Sequence, residues 1–206
     1  EFKAMGNSWE RFDDFTSWRS AEDMGLIIGA AIWYQQRGGD TGGVPDENDI
    51  LLYTIDAQVE GKGWNAFGAF YGGSTDNVDP DVSDTDNFGA VIQGGIFVTD
   101  QVELFGRWDA IFWDSAIVDG AGDSADDNNF FTAGVNYYLS PESHAAKFTF
   151  DAIYSVNSTV ILFAPDSDPD DGLSDGGPLA GTDFTGLLGQ SDDGEFGLQL
   201  QFQVVW

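Results

Sequence analysis

A chain of 206 residues with 36 Asp and Glu against 7 Lys and Arg carries a formal net charge of −29, which excludes the basic surface that nucleic-acid binding needs. It has no Cys, so disulfide frameworks and thiolate metal sites are excluded, and no apolar run reaches the roughly 18 residues of a membrane helix. Its 17 Phe, 7 Trp and 6 Tyr are too many for a disordered acidic chain, while a mean hydropathy of −0.20 suits both a water-soluble protein and a transmembrane barrel whose alternate residues meet lipid.

The sequence opens EFKAMGNSWERF, with neither the basic nor the apolar region of a signal peptide. The expectation is that a signal peptide has been removed or that the sequence starts partway through a longer protein. Residues 1–22 then form either one further strand, in the stretch AMGNSWERFDDFTSW, or a periplasmic segment, and residues 23–206 form barrel strands.

MGLIIGAAIWYQ (24–35) reads as the first strand of the main body, with an imperfect alternation. From Leu51, a strict period of two places Leu51, Tyr53, Ile55, Ala57 and Val59 on one face, and Thr54, Asp56, Gln58 and Glu60 on the other. GWNAFGAFYGG (63–73) leaves its two faces ambiguous, and NFGAVIQGGIFV (87–98) alternates loosely. From Val102 the apolar set is Val102, Leu104, Gly106, Trp108, Ala110 and Phe112, opposed by Glu103, Arg107 and Asp109. FFTAGVNYYL (130–139) follows. From Ala146 the apolar face is Ala146, Phe148, Phe150, Ala152, Tyr154 and Val156, against Lys147, Thr149, Asp151, Ser155 and Asn157. GEFGLQLQFQVVW closes the chain, with Phe196, Leu198, Leu200, Phe202, Val204 and Trp206 on one side and Gln199, Gln201 and Gln203 on the other. About eight strands result, each near the roughly 9–11 residues that cross a bilayer at a tilt.

The connections alternate in length. EGKG (60–63), VTDQ (98–101) and LSPESHA (139–145) are short and built of turn residues. RGGDTGGVPDEND (37–49), GSTDNVDPDVSDTDN (73–87), DSAIVDGAGDSADDNN (114–129) and most of 157–194 are long and acidic. Antiparallel neighbours joined in this way gather all the long loops at one end, the layout of an outer-membrane barrel with short periplasmic turns. An acidic rim there concentrates cations and repels anions. Trp33, Tyr34, Trp64, Trp113, Tyr137 and Tyr138, near strand ends, fit an aromatic girdle at the two interfaces.

FTAGVNYYLSPESHAAKFTFDAIYS and DGEFGLQLQFQVVW resemble the C-terminal region of bacterial outer-membrane porins, especially the porin O/P-like (phosphate-selective porin) superfamily. Gly134, Asn136, Tyr137, Tyr138, Lys147 and Asp151 carry the likeness, which extends over about 86–206. The resemblance implies that Phe196, Phe202 and Trp206 form the signal read by the barrel assembly machinery, with Trp where the family ends on Phe. It also implies a homotrimeric channel of sixteen to eighteen strands in the bacterial cell outer membrane, in contact with lipid and lipopolysaccharide. This chain would then be part of a larger barrel. If 1–22 is instead periplasmic, the remaining strands form a complete small barrel of about eight, with a side-chain-filled interior.

The expected pore-lining residues are Asp56, Gln58, Glu60, Glu103, Arg107, Asp109, Lys147, Asp151, Gln199 and Gln201. A phosphate-selective pore needs a ladder of bases, and only Arg107 and Lys147 stand among these carboxylates. The expectation is therefore passive passage of small hydrophilic solutes or cations.

Calcium in the acidic loops is a further expectation, because DPDVSDTD (79–86) and DSDPDDG (166–172) space carboxylates at alternate positions. The candidate ligands are Asp79, Asp81, Asp166, Asp168 and Asp170, although the second segment lacks the Gly and Glu placement of an EF-hand. His144, the single histidine, lies in a turn beside Ser143 and forms no catalytic set by sequence adjacency, so enzymatic activity is not expected. Two alternatives remain: a non-conducting barrel that anchors the envelope through calcium-bridged loops, and a soluble secreted β-sandwich that binds carbohydrate or calcium.

Overall fold

In a computed structural model the described residues are 1–204, except 13–14, 22, 38–39, 42–43, 46–47, 78–82, 118–126 and 158–193. They form one antiparallel sheet of nine strands, with little helix: a 3-10 turn at Glu10–Phe12 between the first two strands and one short turn at 115–117. The strands are β1 (Phe2–Met5), β2 (Gly25–Arg37), β5 (Asn48–Gly61), β6 (Trp64–Asn77), β7 (Thr85–Phe97), β8 (Val102–Phe112), β9 (Asn128–Ser140), β10 (Ser143–Ser155) and β11 (Phe196–Val204). Two-residue strands β3 (Asp40–Thr41) and β4 (Val44–Pro45) pair with each other between β2 and β5.

Spatial order follows chain order, β1-β2-β5-β6-β7-β8-β9-β10-β11, so every strand of the sheet pairs with its neighbours along the chain. The period-two segments read from the sequence each became a strand, most of them longer than the 9–11 residues expected. The hairpin turns at one end are tight. Gly61 faces Trp64 across Lys62 and Gly63, and Ser140 faces Ser143 across Pro141 and Glu142. Gly63 has a φ of 75°, a left-handed conformation that glycine adopts without steric cost. At the β7–β8 turn the Thr99 hydroxyl accepts from the Gln101 and Val102 amides at 3.3 and 3.0 Å.

Because direct cross-strand partners share a face, the register assigns every side chain to one of two surfaces. One row runs Ala152–Leu198, Phe150–Leu200 and Phe148–Phe202 across β10 and β11, and the next row over runs Asp151–Gln199, Thr149–Gln201 and Lys147–Gln203. The first surface is apolar and exposed: Leu200 is 73% accessible, Phe202 54% and Phe150 51%. On the second, most of the side chains that bury themselves are polar.

The molecule is thus inverted relative to a water-soluble fold. Among the described residues, the buried apolar set is Ile27, Phe97, Ala110 and Tyr138 alone. The buried polar set is larger: Ser17, Gln58, Glu60, Asn65, Glu103, Asn128, Asn136, Thr149, Asp151 and Ser155. Phe148, Phe150, Leu200 and Phe202 form no enclosed core, although Phe148 and Phe202 stack at 4.7 Å on the outside of the sheet. β1 pairs only with β2, and β11 only with β10.

Candidate functional site

The inner face is the surface that carries the buried polar side chains, and its geometry is set by cross-strand register. Glu60 on β5 sits opposite Asn65 on β6, and Asn65 opposite Gly95 on β7. Glu103 on β8 lies opposite Asn136 on β9, which lies opposite Thr149 on β10. These rows bring together residues far apart in sequence.

Glu103 is the centre of the largest polar network. Its Oε1 accepts from Asn65 Nδ2 at 2.9 Å, and its Oε2 accepts from Asn136 Nδ2 at 3.0 Å and from the Tyr138 hydroxyl at 3.1 Å. The Thr149 hydroxyl in turn donates to Asn136 Oδ1 at 2.6 Å. The carboxylate has room because residue 95 is glycine: a Cβ there would stand 2.6 Å from Glu103 Oε1. Three neutral donors on a buried carboxylate replace the water it has lost.

A second network surrounds Glu60, which accepts from Gln58 Nε2 at 2.8 Å and pairs with Arg11 at 3.3 Å. A third feature is the pair Arg107–Asp109, with Nε to Oδ2 at 2.6 Å and both side chains partly open to solvent. Asp56 lies against Gly29, its direct partner on β2. Asp151 is buried beside Gly134, its partner on β9.

All ten expected pore-lining residues therefore share the inner face, but they do not act alike. Glu60 and Glu103 are held by neighbouring donors, while Arg107 and Asp109 pair with each other. Lys147 stands 5.8 Å from the Tyr138 ring centroid. Gln199 and Gln201 lie on the last strand opposite Asp151 and Thr149.

The N-terminal segment is what the sequence did not reveal. Residues 15–21 cross this same face at the short-turn end. Phe15 packs on Phe67 at 4.8 Å, and the Thr16 hydroxyl meets the Tyr138 hydroxyl at 2.9 Å. The Ser17 hydroxyl donates to the Gly61 carbonyl, and the Gly63 amide donates to the Trp18 carbonyl at 3.0 Å. Trp18 packs against Phe97, Tyr138 and His144, with centroids 5.0, 4.9 and 4.6 Å away. His144 thus belongs to an aromatic cluster with Trp18 and Tyr138. A cavity of about 390 Å³ remains between this segment and the wall, bordered by Phe15, Gln93, Phe105, Lys147, Thr149 and Gln201.

The aromatic girdle needs correction. Trp33 shares the row of Leu52 and the parity of Asp56, and Tyr138 is fully buried on the inner face. Trp113 donates its indole N–H to Asn128, which is buried on the inner face. Together with Leu52, Tyr71 and Ile111, Trp33 and Trp113 line an apolar recess of about 500 Å³ toward the long-loop end. Tyr34 and Tyr137 keep the outward positions expected of them.

At that end Asp114 ties the chain leaving β8 back to β7. Its carboxylate accepts from the Ala116 amide at 2.8 Å and the Asp86 amide at 3.0 Å. These two backbone hydrogen bonds, with the Ala116 bond the larger influence, hold its pKa below the usual carboxylate range. A lowered folded pKa means that the tie is complete above the ordinary Asp range and is lost as pH falls through the lowered value. The protection factors of the Asp86 and Ala116 amides should therefore fall only in acid below that range, and Asp114→Ala should lower them at neutral pH.

The proposed calcium ligands Asp79, Asp81, Asp166, Asp168 and Asp170 lie outside the described residues, as does Trp206. No group of three or more potential metal ligands occurs among the described residues. Phe196 and Phe202 stand on the exposed apolar face of β11. No family model, curated protein or solved structure matches the chain.

Proposed function

We propose that this sheet is the wall of an outer-membrane β-barrel that passively passes small hydrophilic solutes and cations. The single observation that carries the reading is the inversion of polarity among the described residues: the buried set is mostly polar or charged, with only Ile27, Phe97, Ala110 and Tyr138 apolar, while large apolar side chains stand exposed on every long strand. Contiguous apolar surface of that extent is foreign to a soluble monomer, and a hydrocarbon solvent accounts for it. Among the described residues no dry apolar interior forms, which weighs against the β-sandwich, whose two sheets must bury their facing side chains.

Lipid also requires that no strand edge be left unpaired. β2 and β11 run antiparallel to each other, since eight long strands separate and include them in strict alternation. β1 already covers β2 at Leu26–Ile28, so β2 and β11 can meet only along the rest of β2, and closure otherwise takes further strands, as in the larger porins that the sequence resembles. Closure turns the inner face into a water-filled lumen, with Asp56, Arg107 and Asp109 as its solvent-open charges. In such a lumen a paired Arg107–Asp109 sets a local transverse field, and Asp56 together with the acidic loops favours cations.

The test is reconstitution into planar bilayers under a salt gradient. The expected result is a conductance with a cation-selective reversal potential that moves toward zero in Asp56→Asn combined with Asp109→Asn. A potential unmoved by both substitutions means that these side chains do not border the ion path.

A further inference from the structure

The segment 15–21 has no periodicity of its own, yet the sheet provides it with a fitted seat. Ser17 is buried, and its hydroxyl and the Trp18 carbonyl bond to Gly61 and Gly63 of the β5–β6 turn. Phe15 reaches Phe67 on β6, Thr16 reaches Tyr138 on β9, and Trp18 sits among Phe97, Tyr138 and His144. Upstream, Arg11 pairs with the buried Glu60 and lies over Gly25, where a Cβ would come within 2.7 Å of its guanidinium. The segment therefore spans the sheet from the β5–β6 turn to the start of β10, with contacts on the inner face at each step.

The anchors differ in kind. Ser17 and the Trp18 carbonyl bond to turn backbone, Arg11 upstream pairs with Glu60, and the rings of Phe15 and Trp18 pack on aromatic side chains. Beyond the aromatic rings of Phe67, Phe97, Phe105 and Tyr138, the inner face next to the segment is polar, and the 390 Å³ cavity there is bordered by Gln93, Lys147, Thr149 and Gln201. Solute moving along that face must pass between these groups and the segment.

We propose that residues 15–21 are a built-in constriction at the short-turn end of the conduction path, docked by Trp18, and that they set the largest solute that passes. This assignment rests on the channel reading above. It makes Trp18 a positioning residue: it holds the segment in the path without itself contacting every solute. The adjoining cavity, with amide, hydroxyl and ammonium groups beside two Phe rings, then suits compact hydrophilic solutes.

The chain has no Cys, so an introduced pair reports unambiguously. An ideal Cβ at Gly63 stands 3.5 Å from the Arg19 Cβ, within the separation that a disulfide spans. Gly63 has a φ of 75°, which strains any side chain there, so the reduced Arg19→Cys/Gly63→Cys protein serves as its own reference. In bilayers, Trp18→Ala should raise single-channel conductance about twofold or more and admit larger polyethylene glycols than the wild type. Adding the cysteine pair to Trp18→Ala should restore the smaller conductance when oxidised and release it when reduced. Docking is read separately by trypsin cleavage after Arg19 in detergent, which Trp18→Ala should accelerate about tenfold by freeing the segment.

A wild type that conducts, with Trp18→Ala and the oxidised triple variant indistinguishable from it, overturns the constriction and leaves the channel standing. No conductance from any variant, Trp18→Ala included, overturns both, even if the trypsin result shows the segment docked. A silent wild type beside a conducting Trp18→Ala supports the constriction as a complete plug.

Discussion

Leu200→Arg should destabilise the chain folded in lipid vesicles by about 2–4 kcal/mol, the cost of a guanidinium near the bilayer midplane on the lipid face of a barrel. Leu200 lies at the centre of β11 and is 73% accessible, so the substitution disturbs little packing. In water the same change at such an exposed site should be worth no more than about 0.5 kcal/mol either way. Gln201→Arg, one residue on and on the opposite face, is the control, with an expected change near zero. Urea unfolding of the two variants in vesicles measures the difference. Equal, small effects would show that the Leu200 side of the sheet faces water, and the membrane reading would fall with it.

Glu103→Ala is the second large effect, expected at about 3 kcal/mol or more, because a hydrogen bond to a charged group is worth about 1.5–3 kcal/mol and three are lost together. The substitution strands the amides of Asn65 and Asn136 and removes the acceptor of the Tyr138 hydroxyl. Glu103→Gln keeps the shape and one carbonyl acceptor, and Tyr138 can turn its proton elsewhere, so its cost should be about 1 kcal/mol. A Glu103→Ala variant as stable as Glu103→Gln would mean that the network contributes nothing to holding β6, β8 and β9 in register. Because Glu103 is engaged by three donors, its removal should change stability far more than ion preference. On the channel reading, Asp56 and Asp109 are the better placed to act on ions.

The strand pattern was legible wherever side chains alternate strongly in polarity. Phe148, Thr149, Phe150 and Asp151 name their faces without help, and the structure places them so. The stretch 63–73 stayed ambiguous because Gly68, Gly72 and Gly73 carry no polarity signal; only pairing to β5 and β7 settles that Phe67 and Tyr71 face inward and Phe70 outward. Trp33 and Trp113 were assigned to a girdle by their nearness to strand ends, but depth along a strand does not reveal which side a residue occupies. Parity does, and parity puts Trp33 inside.

The seat of residues 15–21 was beyond reach for a different reason. Its contacts join Thr16 to Tyr138 and Trp18 to His144, more than a hundred residues apart. Nothing local in FTSWRSA encodes them. Likewise the ten expected wall residues were found by alternation, yet their sorting into locked and solvent-open groups depends on partners supplied by other strands.

The order of the strands has a consequence for how such a molecule changes over time. Since every strand of the sheet pairs only with its neighbours along the chain, no segment threads between two others. If the sheet closes into a barrel, a duplicated or deleted hairpin would change the pairing only at its two flanks and would alter the girth of the enclosed space. On that reading diameter is a heritable quantity adjusted in steps of two strands. The alternation of each surviving strand is carried over, although a network that joins several strands, such as that of Glu103, is not.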